Sequence, residues 1–336
     1  MKSFERVQPR DWNDAVLALE AARKSHVPAE AKGAGIDVID RLKERTAAPD
    51  RVVDLRRLSE HRTIRRDGAR VSIGALVTLR EIAEGLKGDF PALADACEGA
   101  ATPQVRNAAT VAGNLCQRPH CWYFRSADFQ CLKKGGGECF AQKGENTYHA
   151  VFGNSTCAIV HPSASGVALL AYGATIETIS PSGPRSIPIA SFFVRPEDDI
   201  GSENALRPSE LIVEIIVPKT AGLRSAYRKL KQKQSFDWPL ADVAVAWRPD
   251  GDRARDARIV LGSAAPVPFR ASKAEAAVEG KTVDAALASA AGKAALEGAT
   301  PLAQNAYKLS LISAMVRRTL LAAAGLPDGT EKAPDA

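Results

Sequence analysis

The sequence predicts an α+β protein of two or three modules, and three observations lead to that expectation. Its 336 residues can bury more than one substantial core. The front part mixes helix-like and strand-like patterns. From about Ser225 the texture changes to alternating strands around an Asp-Gly turn, followed by alanine-rich helical stretches to about Ala324.

Taken in order, DWNDAVLALEAARK predicts a first helix beginning near Asp11. AKGAGIDVIDRLKER is a glycine-rich turn followed by an apolar-periodic segment. After RVVDLRRL, the stretch TIRRDGARVSIGALVTLREIAEG reads as a hairpin turned at Asp67-Gly68 and handed to a short helix. ALADACEGA reads as a helix with Cys97 as a small buried side chain. Beyond the cysteine segment, AIVHP is strand-like, SGVALLAYGA is helical, and TIETIS with RSIPIA makes a strand pair around a Ser-, Pro- and Gly-bearing turn. SELIVEIIVP is a further strand. Residues 271 to 300 read as helix, and GLPDGTEKAPDA as a frayed tail.

Hydrophobic residues make up 45% of the chain, as in folded soluble proteins. Apolar runs such as SGVALLAYGA fall far short of the roughly 20 residues a bilayer helix needs, so no membrane span is expected. The net charge of +6 is spread among acids, which argues against a nucleic-acid partner. The N-terminal stretch lacks the apolar core of a secretory signal. Export would therefore require a partner that carries one, and cytoplasm and periplasm both stay open.

Two glycine-bearing stretches suit phosphate. In AKGAGIDVID, Gly33 and Gly35 let backbone amides crowd around an anion, although the pattern is neither GxGxxG nor a Walker loop. RNAATVAGNLC offers Asn107, Thr110, Gly113 and Asn114, small hydrogen-bonding groups on tight backbone that suit a pyrophosphate or ribityl chain. Each alone is equally a turn needed for folding; their co-occurrence points to a dinucleotide.

The cysteines are spaced Cys116-x4-Cys121-x9-Cys131-x7-Cys139-x17-Cys157. Four converging thiolates can hold an iron-sulfur cluster or a structural zinc, and disulfides are a third option. KKGGGE lets the loop turn sharply, while Arg118, Arg125, Lys133 and Lys134 are available to offset the charge of a thiolate-ligated cluster. Trp122, Tyr123 and Phe124 are candidates either to shield such a group or simply to pack the loop. His149 is expected to order the loop and His120 to face solvent. No Ser-His-Asp or HExxH constellation is present, and no catalytic acid-base pair is assigned.

The segments KGAGIDVIDRLK, SIGALVTLREIA, TPQVRNAATVAGNL, CWYFRSADFQCLKKGGGECF, CAIVHPSASGVAL, YRKLKQKQSF, VLGSAAPVPFR and NAYKLSL span nearly the whole chain. Together they resemble the FAD-binding medium subunit of the molybdenum hydroxylases, the xanthine dehydrogenase and carbon monoxide dehydrogenase family. The closer resemblance is to the aldehyde oxidoreductase branch, whose flavin subunit carries an extra 4Fe-4S cluster in an inserted loop.

That resemblance implies a two-part vanillyl-alcohol-oxidase-like FAD-binding fold plus a C-terminal sheet-and-helix domain. The implied divisions are 1–55, 56–222 with the inserted loop at 116–157, 223–325, and a flexible tail at 326–336. It implies cofactor contacts from Lys32, Gly33, Ala34, Gly35, Ile36, Asp37 and Val38, where Ile36 and Asp37 replace the usual hydroxyl and amide and an ionised Asp37 would repel phosphate. Gly74 and Ala75 are implied near the adenosine and pyrophosphate end. Thr110, Ala112, Gly113 and Asn114 form the second loop, His161 and Ser163 stand near the flavin, and Ala164 replaces an expected acid there. Apart from the resemblance, Lys229 and Lys231 are candidates either to place positive charge near the flavin or a partner or simply to line a solvated strand edge. Cys121, Cys131, Cys139 and Cys157 are the implied cluster ligands, with Cys116 spare.

The implied assembly is a heterotrimer. A large subunit with a molybdenum cofactor oxidises an aldehyde or N-heterocycle, a small subunit carries two 2Fe-2S clusters, and this chain passes electrons to an external acceptor. A free-standing flavin oxidoreductase and a zinc-stabilised assembly subunit are the alternatives.

Overall fold

The computed structural model describes residues 2–233 and 235–328. Strands β1 (Glu5–Val7), β2 (Ala29–Lys32) and β3 (Arg51–Asp54) form a small parallel sheet in the order β1-β3-β2. Its first crossover is α1 (Trp12–Lys24). Asp11 caps this helix by accepting the Asp14 amide, and Trp12, Ala15, Val16, Leu19 and Ala22 recur at helical spacing on the buried stripe. The second crossover is α2 (Ile36–Lys43), which starts from Gly35 at a φ of 90°, left-handed backbone that a β carbon disfavours.

The predicted hairpin is β4 (Ile64–Arg66) and β5 (Arg70–Gly74), and a capping box between Thr78 and Glu81 starts α3 (Leu79–Gly85). Short helices follow: α4 (Pro91–Glu98), α5 (Pro103–Arg106), α6 (Val111–Leu115) and, in the cysteine segment, α7 (Trp122–Arg125). After α8 (Ala164–Tyr172) the chain forms β6 (Thr175–Ser180), β7 (Gly183–Pro188) and β8 (Leu211–Pro218). These strands complete an antiparallel sheet in the order β4-β5-β8-β6-β7. Val71, Ile73, Ile215 and Val217, at period-two spacing, are fully buried on one face. AIVHP forms no strand. It is held instead by single backbone bonds, the His161 amide to Ala265 and the Ala150 amide to Ala158.

The C-terminal sheet is an antiparallel meander of β9 (Arg224–Lys231), β10 (Pro239–Asp250), β11 (Arg253–Gly262) and β12 (Phe269–Arg270). Alternation along β10 explains its two buried faces. Val243, Val245 and Trp247 pack with Ile312, Met315 and Val316 beneath the helices α9 (Ser272–Val278), α10 (Ala285–Ala294) and α11 (Tyr307–Ala324). Ala244 and Ala246 belong to the other core, where their small side chains admit α8. Every residue of α8 from Ser165 to Tyr172 is buried, as an all-round apolar helix between layers must be.

Asp328 is buried and its carboxylate takes Arg228 at 2.8 Å, so the predicted tail is docked at its start. Its remainder, 329–336, lies outside the described residues. No described helix is long and apolar enough to cross a membrane.

Candidate functional site

A cleft of about 440 Å3 opens where α2, α6, the start of α8 and the β9–β10 connection meet. Lys32, Gly33, Ala34, Gly35, Ile36, Asp37 and Val38 form one wall, and Thr110, Gly113, Asn114, His161, Ser163 and Lys229 line the remainder. Gly33 is required by packing, since a β carbon there would sit 2.9 Å from the Thr110 hydroxyl. The first amides of α2 lack intrahelical partners, and Gly35 offers no capping side chain, so those amides are free to meet an anion.

Asp37 does not confront that anion alone. Its carboxylate accepts from Arg41 Nε at 2.9 Å and Arg125 Nη2 at 2.6 Å. Burial acts to raise its pKa, but the two guanidiniums outweigh it and leave the group below the ordinary carboxylate value. The repulsion anticipated from the sequence is therefore neutralised within the protein. Arg125 also bonds Glu44 at 3.1 Å, so the cysteine segment is anchored to both ends of α2. Lys32 is likewise engaged, paired with the buried Asp54 at 2.9 Å.

Within the second loop, Thr110 caps α6 by accepting the Gly113 amide at 3.2 Å, so Gly113 contributes thin backbone rather than a free donor. Asn114 Oδ1 accepts from Ser163 at 2.8 Å and Ser165 at 2.6 Å, an arrangement that directs its amide NH2 elsewhere. His161 is buried, and its Nδ1 accepts the Ser163 amide at 3.2 Å. The proton is thus on Nε2, a buried donor without a protein partner. Burial pushes the His161 pKa down to about 3, so the ring is neutral.

Gly74, Ala75 and Ala112 stand outside the cleft lining. Gly74 admits the backbone of His61, whose carbonyl oxygen would lie 2.2 Å from a β carbon, and the Ala75 carbonyl accepts the Ala112 amide at 3.3 Å. The Ala75–Ala112 bond braces the second loop from behind. Sequence reasoning missed Phe236, Trp238, Asp242 and Ser263, which complete the cleft from the C-terminal sheet. His120, expected in solvent, lies against Trp238 with ring centroids 4.2 Å apart and the planes tilted by 34°, and burial pushes it down to about 4. The signal for this wall was the aromatic pair in SFDWP.

Cys121, Cys131, Cys139 and Cys157 line a second cavity with Tyr123, Phe124, Phe140 and His149. Cys116 lines the large cleft instead, and burial pushes its thiol up to about 12. A hydrogen bond from Cys157 pulls the Cys139 thiol below its ordinary value and raises Cys157 in turn, while burial pushes Cys121 up to about 11. Among the described residues no three His, Cys, Asp or Glu side chains are placed to grip one metal ion. The cavity measures about 10 Å3, the room of one water, so a four-iron cluster would require the thiols to spread. Its donor chemistry suits such a cluster: four sulfurs, no carboxylate, and an aromatic shell. Of the cations predicted to offset a cluster, Lys133 lines this cavity and its charge acts on Cys157, but each also has a partner of its own. Arg118 and Lys133 pair with Glu203, each at 2.7 Å, and Lys134 donates to the Ser126 carbonyl.

Comparison with known proteins matches residues 2–220 to the FAD binding domain in molybdopterin dehydrogenase, and residues 225–323 to the CO dehydrogenase flavoprotein C-terminal domain. The chain is 35% identical to the aldehyde oxidoreductase FAD-binding subunit PaoB of Escherichia coli, covering 95% of this chain and 96% of that one. It is 30% identical to the carbon monoxide dehydrogenase medium chain of Hydrogenophaga pseudoflava, over 95% and 96% of the two chains. The solved carbon monoxide dehydrogenase of that organism, lacking the Mo-pyranopterin moiety, superposes with a TM-score of 0.74 at 29% identity, covering 96% and 97%.

Proposed function

We propose, for a chain that belongs to the family of FAD-binding domains in molybdopterin dehydrogenases, that it is the electron-exit subunit of an aldehyde- or N-heterocycle-oxidising complex and carries a 4Fe-4S cluster beside its FAD. The chain is an FAD-binding subunit of a molybdenum-hydroxylase-type multisubunit oxidoreductase. Its proposed partners are a large subunit with the molybdenum cofactor and a small subunit with two 2Fe-2S clusters. Its proposed divisions are 1–55, 56–222 and 223–325. The name of the 35% identical relative, an aldehyde oxidoreductase subunit, favours an aldehyde as the complex's substrate.

The carrying observation is that one segment lines both a cleft of about 440 Å3, through Cys116 and His120, and a four-thiol cavity, from Cys121 onward. FAD supplies two-electron storage with release singly or in pairs. In the cleft, the α2 amides are assigned to the pyrophosphate, and Asn114 and the His161 Nε2 proton to polar atoms of the cofactor. Thr110, Gly33 and Gly113 hold the backbone close enough for that approach. Cys121, Cys131, Cys139 and Cys157 are assigned as cluster ligands, with Tyr123, Phe124 and Phe140 keeping water from them. A single structural zinc on the same four thiols is the alternative, and inorganic sulfide separates the two.

Analysis of the assembled complex tests this directly. Denaturation should release FAD in about one-to-one ratio with this chain, as noncovalent binding requires, and acid-labile sulfide should accompany iron, which zinc would not produce. Protein-linked flavin, or iron without sulfide, counts against the assignment. Cys139→Ser should lose iron and sulfide while Cys116→Ser keeps both; the reverse pattern would exchange the ligand assignments. Gly113→Val should weaken FAD retention roughly tenfold by crowding Thr110 and the cleft, and unchanged occupancy would remove the α6 backbone from the site.

A further inference from the structure

Lys308, in the first turn of α11, is 1% exposed. Its ammonium donates to the carbonyls of Tyr148 at 3.4 Å, His149 at 3.1 Å, and Ser263. All three acceptors are neutral, and the one carboxylate whose charge acts on the ammonium, Asp242, is not bonded to it. A buried ammonium on neutral acceptors is costly, and the positive end of the helix dipole adds to the cost. Holding the loop does not require the charge, because Asn305 Nδ2 already donates to the carbonyls of His149 and Ala150, both at 3.1 Å.

Its partners define its position. Ser263 lines the large cleft and donates to Asp242 at 2.8 Å, and Asp242 lines the cleft too. His149 lines the thiol cavity and brings Nε2 within 3.2 Å of Cys121 Sγ. One residue therefore separates the ammonium from each cavity. Of the loop's own cations, Arg118 and Arg125 are held by Glu203, Asp37 and Glu44, while Lys133 lines the thiol cavity and is shared with Glu203.

We propose that Lys308 is a positioning residue whose charge, set between the two cavities, stabilises the reduced and more negative states of the groups bound in both. This rests on reading the cleft as the FAD site and the thiol cavity as the cluster site. One electron entering a cluster adds one negative charge and breaks no bond, and a buried cation offsets that charge with little screening. Burial pushes Lys308 down to about 8, which still leaves the ammonium protonated at neutral pH.

The test compares the assembled complex with its Lys308→Gln and Asn305→Ala variants. Mediated titrations with dithionite follow the cluster by electron paramagnetic resonance and the flavin by absorbance. Gln keeps a donor to the carbonyls and removes the charge, so Lys308→Gln should lower both midpoint potentials while retaining iron, sulfide and FAD. The cluster's reduction equilibrium should fall at least ~tenfold, about 59 mV for one electron. Asn305→Ala, which loosens the same loop without changing charge, should leave both potentials in place. Equal potentials in Lys308→Gln and the parent, or the same shift in Asn305→Ala, would overturn the proposal. So would loss of the bound groups in both variants, which marks a clasp and nothing more. If the parent complex contains no labile sulfide, the cluster assignment alone fails, and the flavin titration decides the role of Lys308.

Discussion

Arg125→Met is expected to destabilise the chain by about 3–5 kcal/mol, the range for removing one member of a buried ion pair, and to release FAD from the assembled complex. The Arg125 side chain is 8% exposed and that of Asp37 15%, so solvent cannot replace the lost guanidinium. Arg125 also donates to the carbonyls of Pro119 at 2.7 Å and Arg118 at 3.0 Å, and Glu44 is its second carboxylate. Without it, Asp37 keeps only Arg41, the start of α2 acquires excess negative charge, and the cysteine segment loses its tie to the glycine turn before α2. Thermal denaturation and FAD content of the purified complex measure the two effects. A lowered midpoint with full flavin occupancy would show that the Arg125 link matters for folding alone.

The same pair has a pH signature. Asp37 is depressed in the folded state, so its contribution is complete above about pH 3.9, the unfolded value, and is lost as pH falls through the lower folded value. The stability gap between parent and Arg125→Met should therefore narrow in acid below about pH 4. A gap that stays constant into that range would assign the effect to the lost carbonyl bonds.

Gly136→Ala is expected to cut iron retention at least ~tenfold, as distortion of a ligand's surroundings does, and to leave FAD bound. A β carbon at Gly136 would lie 1.7 Å from the Gln130 carbonyl oxygen, a backbone atom with no flexible end to yield. The Gly136 and Lys134 amides both donate to the Cys131 carbonyl, at 3.0 and 2.8 Å, so any relief moves the residue assigned as a ligand. Gly137→Ala is the internal control, because a β carbon there meets nothing within 4 Å. Equal iron content in the two variants would show that the turn can shift without disturbing the thiols.

Local chemistry made much of this protein legible in its sequence. The Asp11 cap, the Asp67-Gly68 hairpin and the apolar runs of β8 and α8 are decided by neighbours a few residues away, and each stands where its pattern put it. The glycine turn and the TVAGN segment also come together at one cleft, because a missing β carbon is a local property with a long-range use. AIVHP misled because an apolar, β-branched run is equally suited to buried irregular chain, and only its bonds to Ala265 and Ala150 show which it is.

What tertiary structure alone decided is how the charges are partnered. Asp37 read as a threat to phosphate until Arg125, 88 positions away, was found beside it. Arg118 and Lys134 read as counter-charges for a cluster and are bound to Glu203 and Ser126, whereas Lys133 lines the thiol cavity and is paired with Glu203 as well. Lys308 carried no signal at all, since nothing near it in the chain announces that its ammonium ends among the carbonyls of residues 148, 149 and 263. Turns and helix caps are settled over one or two peptide units, so a sequence displays them. An ion pair forms between whichever groups the packed elements bring within a few ångströms, and that proximity exists only after the chain has folded.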